Sequence, residues 1–121
     1  MIVYNSHYLT YFDIALTEYF RDLGVTFLVI SDEEQYDYSL VNTNITFHSP
    51  AYFDDILEIY VRVSNIGNSS FTVNFEVRKQ DTEKLVVTGE TVYVGYNAKL
   101  GQKMFMPDYL RLRIKKFEGM S

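Results

Sequence analysis

The sequence predicts an α+β fold in which an antiparallel sheet wraps one long helix. Three observations carry that expectation. Residues 6–23 place apolar side chains on more than one helical stripe, the stretches after Gly24 change to two-residue alternation, and turn-forming residues separate those stretches. At 121 residues and 14.2 kDa, with 47% hydrophobic residues, the chain is sized for a single domain over 1–121 with its own core.

The helix is expected over 6–23. Asn5 and Ser6 suit its N-cap, and Gly24 suits a left-handed stop. Only Asp13, Thr17, Glu18, Arg21 and Asp22 form a polar face, so the helix should be enclosed by the fold and supply most of the core. A first strand over 38–47 is rich in β-branched residues. In 56–66, Leu57, Ile59, Val61 and Val63 alternate with Glu58, Tyr60, Arg62 and Ser64. In 71–77, Phe71, Val73, Phe75 and Val77 share one face. A fourth strand covers 85–96, and residues 65–69 and 80–83 read as hairpin turns. Residues 107–117 read as a short helix starting near Met106, with Arg111, Arg113, Lys115 and Lys116 towards its C-terminal end, where cations suit the helix dipole. Four or five strands around one helix leave edges uncovered, so a homodimer or homotetramer is expected.

Composition narrows the chemistry. Eleven Lys and Arg against sixteen Asp and Glu give a net charge of −5, which argues against nucleic acid as partner. With no cysteine there is no disulfide scaffold, thiolate metal site or cysteine nucleophile. No stretch has the roughly 20 apolar residues that span a bilayer, and residues 1–5 lack the basic leader of a signal peptide. A cytoplasmic protein without membrane insertion, metal or cofactor is the expectation. The 17% aromatic content, with 11 Tyr and 9 Phe, suits apolar clefts with a polar rim.

Two blocks of sequence are more specific. Ile2-Val3-Tyr4-Asn5-Ser6-His7-Tyr8-Leu9, followed by Tyr11-Phe12-Asp13 and Ala15, resembles the helix entry of the hotdog-fold acyl-CoA thioesterases. The resemblance is to the 4-hydroxybenzoyl-CoA thioesterase-like group, including its Tol–Pal-associated branch. Ser49-Pro50-Ala51, Phe53-Asp54-Asp55 and Leu57 resemble a turn between strands of that family. Ser69-Ser70-Phe71, Thr88-Gly89 and Met106-Pro107 follow in family order. The resemblance implies a hotdog fold and hydrolysis of an acyl-CoA thioester, without a cofactor, at a subunit interface. It also implies a catalytic Asp on a turn just before the helix-entry motif. That position falls ahead of Met1, as does the family's first strand.

Thioester hydrolysis needs an oxyanion site, a carboxylate to activate water or attack, and a tunnel for the acyl and pantetheine arms. By resemblance, the N–H groups at Asn5 and its neighbours face the thioester carbonyl; Asn5 reads equally as a plain N-cap. His7 is the nearest imidazole and is either catalytic or structural. Asp13 matches an acidic family position and either orients other groups, binds across the dimer, or is a satisfied structural carboxylate. Tyr4, Tyr8 and Phe12 are expected along the substrate. Gly67, Asn68, Ser69 and Ser70 are expected on the CoA side, their turn holding phosphate through backbone N–H groups. Arg62, Arg78, Lys79, Lys84 and Lys99 remain open as sources of positive charge. Asp54 and Asp55 read as turn residues rather than a metal pair. The alternative function is a non-catalytic acyl-CoA-binding or assembly subunit with the same fold.

Overall fold

The computed structural model describes residues 5–25, 28–29 and 35–120. In chain order the elements are α1 (Asn5–Asp22), β1 (Leu28–Val29), β2 (Gln35–Phe47), β3 (Leu57–Ile66), β4 (Ser70–Lys79), β5 (Leu85–Asn97) and α2 (Asp108–Glu118). The five strands form one antiparallel sheet in the order β1-β2-β5-β4-β3. The expected α+β plan is therefore present, with one two-residue strand that the sequence pattern does not announce. Among the described residues, no helix is long and apolar enough to cross a membrane.

The long helix ends as its sequence dictates. Gly24 takes φ +81°, and the Val25 N–H donates back to Phe20 O at 2.8 Å, closing the left-handed stop. α1 packs on the sheet through Tyr8, Phe12, Leu16, Tyr19 and Phe20, spaced three and four apart. Its enclosure is less than expected. Leu9 and Ile14 on the outer face are exposed, the latter by 57%. The expectation that the helix supplies most of the core also needs correction. Val63, Phe71, Val73, Phe75, Val77, Val86, Val87 and Tyr93 make the sheet the larger contributor. A twisted sheet offers one continuous inner face, whereas a helix lying on it can bury only the stripe it presents.

Aromatic contacts give the helix its position along the sheet. The Tyr8 ring meets Phe47 edge-on at 6.0 Å, Phe12 stacks on Phe75 at 4.3 Å, and Phe20 meets Phe71 edge-on at 6.1 Å. Gly89 pairs with Phe75, and a Cβ there would stand 2.6 Å from Phe12 Cε2, so the bare backbone makes room for that ring. α2 starts one residue inside the expected range, with Pro107 at the N-cap position. It is tied down by Leu110 and Ile114 and by Glu118, whose Oε2 accepts both the Tyr19 hydroxyl (2.6 Å) and the Val63 N–H (3.0 Å).

Candidate functional site

α1 begins at Asn5, and its first turn leaves N–H groups without intrahelical acceptors. Tyr4 and the side chain of Asn5 lie outside the described residues. His7 is half-buried, its ring 6.4 Å from Tyr11. Tyr8 is buried, and its hydroxyl titrates above the usual phenol range because of burial, with Tyr11 and Asp55 adding to the effect. Phe47, Tyr52, Phe53 and Ile56, at the end of β2 and in the turn to β3, remain exposed and form an apolar rim at this end of the molecule.

Asp55 belongs to that turn and is occupied. It accepts the Tyr52 N–H at 2.8 Å and pairs with Lys79 at 3.3 Å; these interactions, the Tyr52 bond first, hold its carboxyl below the usual range. The turn reading thus has structural partners at Asp55. Phe12 is 1% exposed and is a core side chain in this structure.

Asp13 is exposed on α1, and its charge is felt by the sheet side chains Tyr38 and Tyr93. Burial raises both phenols first, and the Asp13 charge raises them further. Eight residues separate it from Asn5, about 12 Å of helix axis. Asn5 and Asp13 of one chain therefore stand about two turns apart along α1.

The predicted hairpin is present, and its glycine is needed. A Cβ at Gly67 would stand 2.8 Å from Ser70 Oγ, and the Gly67 N–H donates to Ser70 O at 2.7 Å. Ser69 is buried and its carbonyl accepts the Gly95 N–H at 2.7 Å. This hairpin lies at the other end of α1. Tyr8 sits at the level of Phe47, which pairs with Val87 and through it aligns with Val77, whereas the hairpin starts at Ser70. Seven residues of β4 span about 23 Å.

One residue of this corner was not marked as a site residue by the sequence. Arg111 of α2 donates to Gly67 O at 3.0 Å and to Asn68 O at 3.1 Å, and the Met106 N–H also donates to Asn68 O at 3.1 Å. Its place in the sequence suggested only dipole compensation. The contact spans 44 residues, and no local pattern announces it.

Beside α1 runs a groove of about 450 Å³, lined mainly by Tyr11, Ile14, Tyr19, Leu57, Ile59 and Phe117. Among the described residues no cluster of His, Asp and Glu is arranged to hold a metal.

The profile of the thioesterase superfamily matches residues 2–86, more than half of the chain. The chain belongs to the thioesterase superfamily. Two relatives of this superfamily member are a putative esterase of Aquifex aeolicus, 28% identical over 80 residues, and the acyl-CoA thioesterase YbgC of Haemophilus influenzae, 32% identical over 77 residues. These matches cover 66% and 64% of this chain but only 62% and 55% of the relatives, so the chain spans less than two thirds of their length. A thioesterase of Thermus thermophilus, solved with coenzyme A and zinc, superposes with a TM-score of 0.80 at 21% identity, over 99% of this chain and 84% of that one. That likeness is one of fold, and it makes the superfamily member a hotdog protein.

Proposed function

We propose that the chain hydrolyses acyl-CoA thioesters to free acid and CoA, at a site shared by two copies. The observation that carries this reading is the first turn of α1, whose free N–H groups open beside an exposed aromatic rim. The thioester oxygen accepts hydrogen bonds from the N–H of Asn5 and its neighbours, which stabilise the oxyanion as it forms. Water attacks the carbonyl carbon and passes its proton to a carboxylate. The C–S bond then breaks, and the CoA thiolate leaves and is protonated. Among the residues of this sequence the carboxylate offered is Asp13, brought to the carbonyl from the second copy because it stands about 12 Å along α1 from the N–H groups of its own chain, with His7 as a second base. Tyr4 and Tyr8 shape the acyl side, and Phe12 supports them from the core. No metal or cofactor takes part.

A second copy supplies the CoA side. Beyond Tyr36, β2 pairs only with β5 among the described residues, so 37–47 is an open edge. Two such edges pairing antiparallel bring the Gly67–Asn68–Ser69–Ser70 hairpin of one protomer towards the α1 N-terminus of the other. A homodimer, or a homotetramer built from two of them, follows. Placement in the 4-hydroxybenzoyl-CoA thioesterase-like group and its Tol–Pal-associated branch, and a cytoplasmic site of action, belong to the same proposal and rest on the motif blocks at 2–15 and 49–57.

Thiol release from short, long and aromatic acyl-CoAs tests the reading. Turnover that falls with D13N or H7A assigns the base to this chain. No release from any thioester, with CoA still bound, refutes hydrolysis. One observation favours that second reading, a CoA-binding subunit without turnover: near the start of α1, Asp55 is engaged by Tyr52 and Lys79.

A further inference from the structure

The cations left open by the sequence are placed unequally. Arg78 donates to Glu76 at 3.1 Å and to Glu83 O at 3.0 Å, and Lys79 pairs with Asp55, all towards the far end of β4 from the 67–70 turn. Lys84 follows the 80–83 turn at that same end. Arg62 lies with Asn74 and Glu76 in a hollow on the sheet face opposite α1. Lys99 sits in the turn after β5. The guanidinium that touches the 67–70 turn is Arg111.

Arg111 is half-buried and has no carboxylate partner among the described residues. Two of its five N–H donors are used on carbonyls, which leaves donors for an anion. The N–H groups of Asn68 and Ser69 find no acceptor among the described residues, and successive free amides in a turn form an anion-binding concavity. The Tyr36 hydroxyl, in a side chain 4% exposed, also lacks a partner, and it packs on Gly95, whose N–H holds Ser69. Residues 98–121 carry six of the eleven Lys and Arg but two of the sixteen Asp and Glu, so this region is positive in a chain of net charge −5.

We propose that Arg111 and the 67–70 turn form the phosphate subsite for the nucleotide end of CoA, with Arg111 supplying the charge that the turn lacks. This rests on the acyl-CoA reading above and assigns its CoA end to a residue of α2. The carbonyl contacts hold the guanidinium in place, so that it can meet a phosphate with two parallel hydrogen bonds.

Calorimetric titration of wild type, R111Q and R111K with CoA and with pantetheine tests the proposal. R111Q is expected to weaken CoA at least tenfold while leaving pantetheine unchanged. R111K, which keeps the charge, falls between, and R111Q flattens the salt dependence of CoA binding. CoA affinity unchanged in R111Q overturns the proposal alone. Equal losses for CoA and pantetheine also overturn it, because they mean that Arg111 only shapes the turn. A wild type that binds no CoA overturns the proposal together with the acyl-CoA reading.

Discussion

Replacing Gly89 by Ala puts a methyl group where the Phe12 ring now rests. The new Cβ would meet Phe12 Cε2 at 2.6 Å and Cζ at 2.9 Å. Ordinary carbon contacts begin near 3.5 Å, so the ring must move by about 1 Å. It has little freedom to do so, being 1% exposed and stacked on Phe75 with an interplanar angle of 9°. Overpacking of this kind costs about 1–3 kcal/mol. Removing a glycine from a strand returns about 0.5–1 kcal/mol. The net expectation for G89A is a loss of about 1–2 kcal/mol, or roughly 4–8 °C in Tm for a chain of this size. Urea titration followed by far-UV circular dichroism measures the first quantity and a thermal scan the second. F12L makes the test sharper: a smaller side chain should relieve the clash, so G89A and F12L should couple by about 0.5–3 kcal/mol in a double-mutant cycle. G89A as stable as wild type, or two penalties that simply add, would refute the packing argument.

Three further outcomes are expected. Asp55 has its carboxyl held below the usual range by the Tyr52 N–H and then Lys79, so its contribution to stability is present above about pH 4 and is lost as pH falls through the lowered folded value. D55A should therefore be less stable than wild type at pH 6, and acid titrations of the two should converge below that value; a constant gap would contradict this. E118A removes the acceptor shared by Tyr19 and Val63 and should cost about 1.5–3 kcal/mol by urea titration, with E118Q losing less. Light scattering should give the wild type at least twice its 14.2 kDa chain mass, and V41K, on the open edge of β2, should shift it towards the monomer; a monomeric wild type would remove the shared site.

Much of the fold was legible because periodicity and punctuation agree locally. Phe71, Val73, Phe75 and Val77 alternate inward as read, Gly24 ends the helix, and Gly67 turns the hairpin. The two residues of β1 carry too little pattern to be seen, and the outer face of α1 reads as buried because Leu9 and Ile14 are apolar whatever covers them. The site was less legible. Sequence blocks suggest which residues share a function but not where they stand. The helix start and the hairpin, both read into one site, lie at opposite ends of α1 in one chain. Arg111 illustrates the remaining limit: its partners are carbonyl oxygens, which every residue has, so no side-chain identity at Gly67 or Asn68 advertises the contact.

The hydrogen bond from Val63 to Glu118 also bears on how the molecule stays apart from its copies. Among the described residues β3 is an outer strand of the sheet, and such edges are templates for uncontrolled growth. Where Val63 would offer its N–H to an incoming chain, a carboxylate already accepts it, and that carboxylate is anchored from the other side by Tyr19. A strand adding to this edge must displace a charged group to pass residue 63, so any run of new pairing is confined to the short stretch before it. The last turn of α2 thus acts as a stopper, leaving the longer β2 edge as the side on which the sheet is free to extend.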